Sequence, residues 1–196
     1  MNNIKSTLTT AINQNLDCKK KLIHQEKKIN KCIDIIHKKI KNGGKLLFCG
    51  NGGSAADSQH LAAEFLIRLR PKINRRPFKA MSLVLDTSTI TACGNDYNFN
   101  KIFSRPFEAL AEKNDVLIAI STSGNSSNII EVLKSAKKKK IASIAFLGFK
   151  GGNAKRYANY NLIVESNSVA RIQETHIFLG HYILEKVENK ILKLEK

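Results

Sequence analysis

Hydrophobic residues recur along the chain with two different spacings, and the change from one to the other divides it into regions. Residues 2–41 have helix-like spacing, seen at Leu22, Ile29, Ile33, Ile36 and Ile40. The following Asn42, Gly43 and Gly44 are typical of a helix end. The pattern therefore predicts a helical N-terminal region.

Short apolar runs dominate the rest of the chain and alternate with segments of helical spacing. The runs lie at residues 46–49, 80–85, 116–120, 141–147 and 162–164. Runs of this length and bulk are typical of buried strands, and their alternation with helices indicates a parallel sheet. The sequence predicts an α/β protein with a doubly wound, mainly parallel, five-stranded sheet flanked by helices.

The C-terminal segment and one internal loop complete this outline. Apolar residues from Ile172 to Ile191 predict a long helix over residues 170–193, longer than one layer of a domain needs. This helix and the N-terminal helices are expected to pack against another subunit. The basic segment PKINRRP at 71–77 predicts an exposed loop, because a proline bounds each end.

Without an internal repeat or a low-complexity linker, the chain is expected to form a single domain over residues 1–196. That domain comprises a helical N-terminal extension at 1–42 and an α/β core with the C-terminal helix at 43–196. The chain has 196 residues, 42% of them hydrophobic, which is enough to bury a core.

Cysteine usage and charge narrow the class of protein. Four cysteines without CxxC spacing, and no apolar stretch fit for a signal peptide or a membrane span, favour a cytoplasmic protein without a membrane partner. The formal net charge is +17, but the lysines crowd residues 19–45 and 137–140 without interleaved aromatic residues. This pattern favours a solvated basic surface that attracts a small anionic substrate, and no specific nucleic acid is expected.

The segment from Gly50 to Glu64, GNGGSAADSQHLAAE, joins a small-residue turn to a helix with reactive side chains. Asn51–Ser54 follow a strand-like run and lie where the free N–H groups of a helix start bind phosphate or carboxylate. His60, Glu64 and Arg68 follow at intervals of four residues, so they share one stripe of the predicted helix. A solvent-facing polar stripe explains three such residues as simply, but the glycine turn before them favours a binding site.

A second strand, turn and helix begins at Val116, and its turn is STSGNSSN at residues 121–128. Its hydroxyl groups and backbone N–H groups can surround a phosphate without a fixed cation. Alone, such a turn is more often a serine-rich loop with an N-cap. Two such turns at the carboxyl ends of parallel strands predict a ligand site, because open α/β sheets bind ligands at that edge. Neither turn matches GxGxxG or GxxxxGK[ST], so nucleotide binding is not supported.

Over nearly its whole length the chain resembles the sugar isomerase (SIS) domain family, and within it the phosphoheptose isomerases, also called sedoheptulose 7-phosphate isomerases. The motifs that carry the resemblance are CGNGGS at 49–54, His60 with Glu64, GNDYNFNKIFSR at 94–105, DVLIAISTSGNS at 115–126, and RIQETH at 171–176 followed by His181. The glycine and serine motifs indicate a sugar-phosphate-binding SIS domain. The set of His60, Glu64, Gln173 and His181 distinguishes the heptose enzymes from noncatalytic relatives.

The resemblance implies a flavodoxin-like fold, a homotetramer with sites near subunit interfaces, and a role for each matching residue. It implies that the substrate phosphate binds Ser121, Thr122, Ser123 and Ser126, with Ser54 beside them. It implies sugar contacts from Asn51, Gly52, Gly53, Asn95 and Asp96, with Arg68, Glu64 and Gln173 also at the substrate. One zinc ion per subunit is expected on His60, Glu64, Gln173 and His181, and the pair Glu64 and His181 is expected to transfer protons.

Helical spacing alone does not decide which histidine of the C-terminal helix belongs to the site. Gln173 and His181 are about 80° apart around a helix, so His176 is as eligible as His181, and only the resemblance selects His181. Ala170 stands where some family members have an acidic residue, which removes one sugar contact and bears on substrate preference.

The implied activity is that of an aldose–ketose isomerase. It converts D-sedoheptulose 7-phosphate into D-glycero-D-manno-heptose 7-phosphate through an enediol, the first step toward ADP- or GDP-heptose for surface polysaccharide such as lipopolysaccharide. Two alternatives remain: a noncatalytic SIS module that binds the replication initiator DnaA, and an isomerase of another phosphosugar such as arabinose 5-phosphate. The proton-transfer pair argues against the first, and the lack of added regulatory domains argues against the second.

Overall fold

In the computed structural model, which describes residues 7–84 and 86–194, the apolar runs form one parallel sheet. The strands are Leu46–Gly50 (β1), Ala80–Ser82 (β2), Val116–Ser121 (β3), Ala142–Gly148 (β4) and Tyr160–Val164 (β5). Their order is β2-β1-β3-β4-β5, and every neighbouring pair is parallel. The predicted five-stranded α/β sheet is confirmed.

Helices cover both faces of this sheet. They span Leu8–Lys21 (α1), Glu26–Lys41 (α2), Gly53–Leu66 (α3), Thr87–Asp96 (α4), Ser104–Leu110 (α5), Ser127–Lys138 (α6) and Val169–Leu192 (α7). Short 3₁₀ turns lie at Leu22–Gln25, Phe99–Lys101 and Ala154–Arg156. None of the helices in the described residues is long and apolar enough to cross a membrane.

Alternate residues of the strands feed two separate cores, as expected for a sheet covered on both faces. Leu46 and Phe48 of β1 pack on the face covered by α1, α2, α3 and α7. Leu47 and Cys49 point to the other face, which α4, α5 and α6 cover. Because α3 and α7 share one face, residues far apart in sequence are brought together there.

Some sequence predictions need correction. The apolar run at 80–85 forms a strand only over Ala80–Ser82, since the chain turns at Leu83 and Val84, and Leu85 lies outside the described residues. Residues 2–6 of the predicted N-terminal helix also lie outside them. Arg68 is not on the helical stripe of His60 and Glu64, because α3 ends at Leu66.

The loop at 71–77 also differs from its prediction. Most of its residues are exposed, as predicted, but the Arg75 side chain is completely buried, at 0% exposure. A buried guanidinium needs partners for its five N–H groups, and Arg75 finds them on Glu188 of α7, Glu64 of α3 and the backbone carbonyls of Ile67 and Arg76.

Buried cysteines and lysine-rich helix ends agree with the predictions from composition. Cys18, Cys32, Cys49 and Cys93 are all free and buried. Lysines occupy the last turns of α2 and α6, where their charge complements the helix dipole.

Candidate active site

The strand order reverses direction between β1 and β3, which makes the carboxyl ends of these two strands a crevice. β1 leads into the glycine turn, and β3 leads into the serine loop at residues 121–126. The side chains of Asn51 and Asn128 join the two segments, each amide donating to the other at 2.9 Å. The sheet thus brings both predicted anion-binding turns to one place.

The start of α3 is open to an anion. Gly52 adopts a positive φ of 55° at the N-cap and supplies no side-chain cap, and the first turn of α3 carries no acidic residue. The Ser54 and Ala55 N–H groups donate to the Asn51 and Gly52 carbonyls at 3.0 Å, so the start of α3 attracts an anion mainly through the positive end of its dipole, without a competing carboxylate. Ser54 lies in this first turn and is buried.

The serine loop is shaped by its own hydroxyl groups. Ser121 Oγ accepts a hydrogen bond from the Gly124 N–H at 3.1 Å, and Ser123 Oγ accepts one from the Asn125 N–H at 3.1 Å. A hydroxyl that accepts still has a proton to donate, so both groups can bind a phosphate oxygen. Ser126 is the N-cap of α6 and makes no side-chain cap hydrogen bond, which leaves its hydroxyl for a ligand.

A glycine contact fixes the serine loop against the loop after β4. Gly124 has φ +65°, and a Cβ there would lie 2.2 Å from the Gly151 carbonyl oxygen. The Ala154 N–H donates to the Gly124 carbonyl at 2.8 Å, and the Asn153 N–H donates to Asn125 Oδ1 at 2.9 Å. The chain has no room for any side chain at Gly124.

Three reactive side chains meet where α3 and α7 cross. His60 Nε2 lies 2.8 Å from His181 Nε2 and 3.4 Å from Glu64 Oε1. One imidazole must donate and the other accept, so the accepting ring is neutral. Burial, together with the nearby His60, lowers the pKa of His181, while Glu64 opposes the shift. A neutral imidazole is the form that binds a metal or accepts a proton.

Asp57 is a group that the sequence analysis missed. It lies one turn before His60 on α3, and burial raises its pKa to about 6, while the charge of His60 opposes the shift. Its Oδ2 is buried without a hydrogen-bond partner. Because Asp57 precedes His60 by three residues, helical spacing places both on the same side of α3. This spacing could have identified Asp57 as a site residue from the sequence.

Burial distinguishes His181 from His176, which spacing could not. His176 is 0% exposed and packs with its ring centroid 6.1 Å from that of Phe146, in the core between α7 and β4. His181 lies five residues later, about 140° around the helix, and reaches His60 on α3. His176 is therefore a core residue.

The buried His176 should make stability depend on pH. Burial lowers its pKa to about 4, against about 6.5 in the unfolded chain. Between these values the unfolded chain binds a proton that the folded chain does not, so stability falls as the pH falls through this window. The loss approaches about 3 kcal/mol below pH 4.

Denaturant unfolding at pH 7.5 and pH 5 measures this effect. His176→Leu should reduce the stability difference between the two conditions, whereas His24→Gln, at an exposed histidine, should not. Asp57 has the opposite effect on stability, because its raised pKa favours the folded state at low pH. The wild type and both variants contain Asp57, so its contribution cancels in the comparison. An unchanged pH dependence in His176→Leu would contradict the assignment.

The other predicted residues lie on the glycine turn, at the end of α4 and beyond the end of α3. The side-chain amide of Gln173 lies over Gly53, where a Cβ would be 2.5 Å from Gln173 Nε2. Asn95 and Asp96 form the exposed end of α4, where the Asn95 amide donates to Asp96 Oδ1 at 2.9 Å. Arg68 is exposed beyond the end of α3. Gln173 therefore touches the glycine turn, and the sugar contacts remain predictions.

The donor set suits a metal ion. The ligand atoms of His60, Glu64 and His181 all lie within 4.8 Å of one another. Imidazole nitrogen and carboxylate oxygen are ligands that zinc binds at about 2 Å, and three such ligands with a fourth position typify its sites. These residues fit a divalent metal of this class.

Known proteins share both the sequence and the fold. The SIS domain profile matches residues 12–148. The phosphoheptose isomerase of Clostridium acetobutylicum is 42% identical over 191 residues, covering 96% of each chain. That of Campylobacter concisus is 52% identical over 149 residues, covering 76% of this chain and 78% of its own. The phosphoheptose isomerase structure from Neisseria gonorrhoeae superposes with a TM-score of 0.85 at 35% identity, covering 93% of this chain and 97% of that one.

Proposed function

The chain belongs to the SIS domain family and, within it, to the phosphoheptose isomerases, and from this premise we propose how its residues isomerise sedoheptulose 7-phosphate. It is an aldose–ketose isomerase. The product is D-glycero-D-manno-heptose 7-phosphate, a precursor of surface heptose. The observation that carries the proposal is the meeting of His60, Glu64 and His181 beside two anion-binding turns.

The phosphate end of the substrate binds the serine loop. Ser121, Thr122, Ser123 and Ser126 donate to its oxygens, and Ser54 at the start of α3 adds a hydroxyl group. The open N-termini of α3 and α6 add positive potential without a fixed cation. The sugar hydroxyls extend from there over Asn51, Gly52, Gly53, Asn95 and Asp96, toward Arg68 and Gln173.

The reacting carbons lie at Glu64 and His181. Glu64 removes a proton from the carbon beside the ketone, and the released electron pair forms the enediolate. The protonated Glu64 then returns this proton to the former carbonyl carbon, while neutral His181 accepts the hydroxyl proton from one oxygen and donates it to the other. Glu64 is half-buried, at 25% side-chain exposure, which limits the water that competes for these protons.

His60, Glu64 and His181 would hold one zinc ion, with Gln173 as the fourth ligand. A zinc ion held there would supply a Lewis acid for the carbonyl oxygen and positive charge beside the enediolate. Gln173 and His181 are two turns apart on α7, about 12 Å along the axis, so their side chains must extend toward each other. A carboxylate on a metal is a weaker base, which makes the division of labour between Glu64 and His181 the point to test.

We also propose a homotetramer working in the cytoplasm, each chain forming one domain over residues 1–196. Large apolar side chains that remain exposed on the described surface support subunit contacts. They include Leu8 at 78% exposure, Ile23 at 68%, Tyr97 at 56% and Phe99 at 60%. Tyr97 and Phe99 lie next to Asn95 and Asp96, so a contact there would bring a second subunit close to the predicted sugar residues.

A single assay tests the function. Purified protein is incubated with sedoheptulose 7-phosphate, with and without a chelator, and the sugar products are followed by NMR. We expect conversion that the chelator suppresses and added zinc restores. No turnover under any metal condition would overturn the proposal. Arabinose 5-phosphate as a parallel substrate should be converted poorly, because the relatives carry the phosphoheptose isomerase name.

A further inference from the structure

Helices α3 and α7, which carry the three reactive side chains, contact each other closely beside the histidine pair. A Cβ on Gly180 would lie 2.5 Å from Leu61 Cδ1 and 2.6 Å from Cδ2. Leu61 follows His60 in the sequence, and Gly180 precedes His181. This contact sets how closely the helices approach, but leucine against glycine does not prevent them from sliding along each other.

A second contact lies two turns further along α7, at Glu188. Its side chain is only 1% exposed, and each carboxylate oxygen binds a different arginine. Arg70 Nε and Nη2 bind Oε1 at 2.8 Å and 2.7 Å. Arg75 Nε donates to Oε2. Both arginines belong to the connection between α3 and β2.

Arg75 joins this carboxylate directly to the end of α3. Its Nη2 donates to the main-chain carbonyl of Glu64 at 3.0 Å, and its guanidinium lies 4.3 Å from the ring centroid of Phe78. One planar group therefore contacts the backbone of Glu64 and a carboxylate seven residues after His181. Seven residues are about two turns, so Glu188 and His181 face the same side of α7.

Stability alone is a poor reason for such a buried ion pair. Removing two charges from water costs several kcal/mol, and apolar replacements of buried pairs are often neutral or stabilising. A guanidinium with directional donors, however, accepts only one arrangement of its partners, whereas an apolar helix interface accepts several. The Arg75–Glu188 contact specifies one register of α3 against α7.

We propose that Arg75 and Glu188 are positioning residues that fix this register and thereby hold His60 and Glu64 at the correct distance from His181. The inference rests on the proposed function of these three side chains. A sliding step of one residue moves a helix by about 1.5 Å, enough to separate groups that must act together.

Two variants and one control test the proposal. Glu188→Gln keeps the shape but removes the charge, and the double variant Arg75→Met with Glu188→Met removes both members of the fully buried pair. Arg70, at 27% exposure, also loses Glu188 but keeps Asn189 and Glu185 as partners. Glu185→Gln is the matched control, because Glu185 lies one turn earlier on α7, is 47% exposed and approaches Arg70 only at 3.7 Å. Thermal unfolding of each protein is measured first, and the assays are then run at a temperature at which all of them are folded.

In both test variants we expect kcat to fall roughly 10–100-fold and zinc affinity, measured by calorimetry, to weaken by about 10–100-fold. KM should change by less than about 3-fold, since the serine loop on β3 is untouched. Glu185→Gln should match the wild type. A purely structural role would lower the unfolding temperature without this split between kcat and KM.

The proposal fails if the folded double variant keeps wild-type kcat and wild-type zinc affinity. That result is distinct from failure of the proposed function, which is seen as absent turnover in the wild type. Zinc affinities of the wild type and the variants still report on the register in that case, because they do not depend on turnover.

Discussion

Replacing Glu64 with Gln, or His181 with Gln, is expected to reduce turnover of sedoheptulose 7-phosphate by roughly 10³-fold or more, in the range for loss of a general acid or base. Each change keeps the size of the side chain but removes the group that accepts or donates the proton. Phosphosugar binding should persist, because the serine loop lies on β3 and α6 while these residues lie on α3 and α7. Product NMR measures the first effect and calorimetry the second.

The two variants also distinguish metal binding from proton transfer at the site. Zinc content, measured on each purified protein, shows whether lost activity follows a lost ligand or a lost proton-transfer group. His24→Gln serves as the control, since His24 is exposed and far from α3 in the sequence. Near-native rates in either Glu64→Gln or His181→Gln would show the catalytic assignment to be wrong.

The variant Gly124→Ala is expected to lower kcat/KM by about 100-fold. This is the loss expected when a binding group is misplaced by about 1 Å. The new Cβ would lie 2.2 Å from a backbone oxygen of Gly151, and backbone cannot move aside as a flexible side chain can. The serine loop must therefore shift away from the loop after β4, and its hydroxyl groups lose their alignment on the phosphate. KM should carry most of the effect.

Gly43→Ala separates this clash from backbone strain. Gly43 also has a positive φ, +85°, but a Cβ there meets nothing within 4 Å, and it lies in the turn between α2 and β1. This control should lose about 1 kcal/mol of stability from the left-handed conformation and keep its KM. If Gly124→Ala binds the phosphosugar as tightly as Gly43→Ala, packing against Gly151 does not shape the loop.

Local patterns predicted most of the strands and the C-terminal helix well, and the failures have identifiable causes. The run at 80–85 predicted a longer strand than Ala80–Ser82, because apolar residues in a turn cannot be distinguished by sequence from apolar residues in a strand. Arg68 was placed on a helix that ends at Leu66, although no proline or glycine marks that end in the sequence. Arg75 was expected in solvent, and no local signal reveals that a distant Glu188 covers it.

The sequence by itself determined the order of strands and helices, the two predicted anion-binding turns and the family, because these depend on residues within a few positions of one another. Helical spacing left His176 and His181 open and the resemblance selected His181, but only the tertiary structure shows the contact on which that choice depends. His60 and His181 are 121 residues apart, and their contact arises only when α3 and α7 pack on the same face of the sheet. His176 lies on the same helix and carries the same imidazole, but its side chain is buried in the core beside Phe146. Helical spacing gives the direction of a side chain around its own axis, whereas only packing determines what that direction faces.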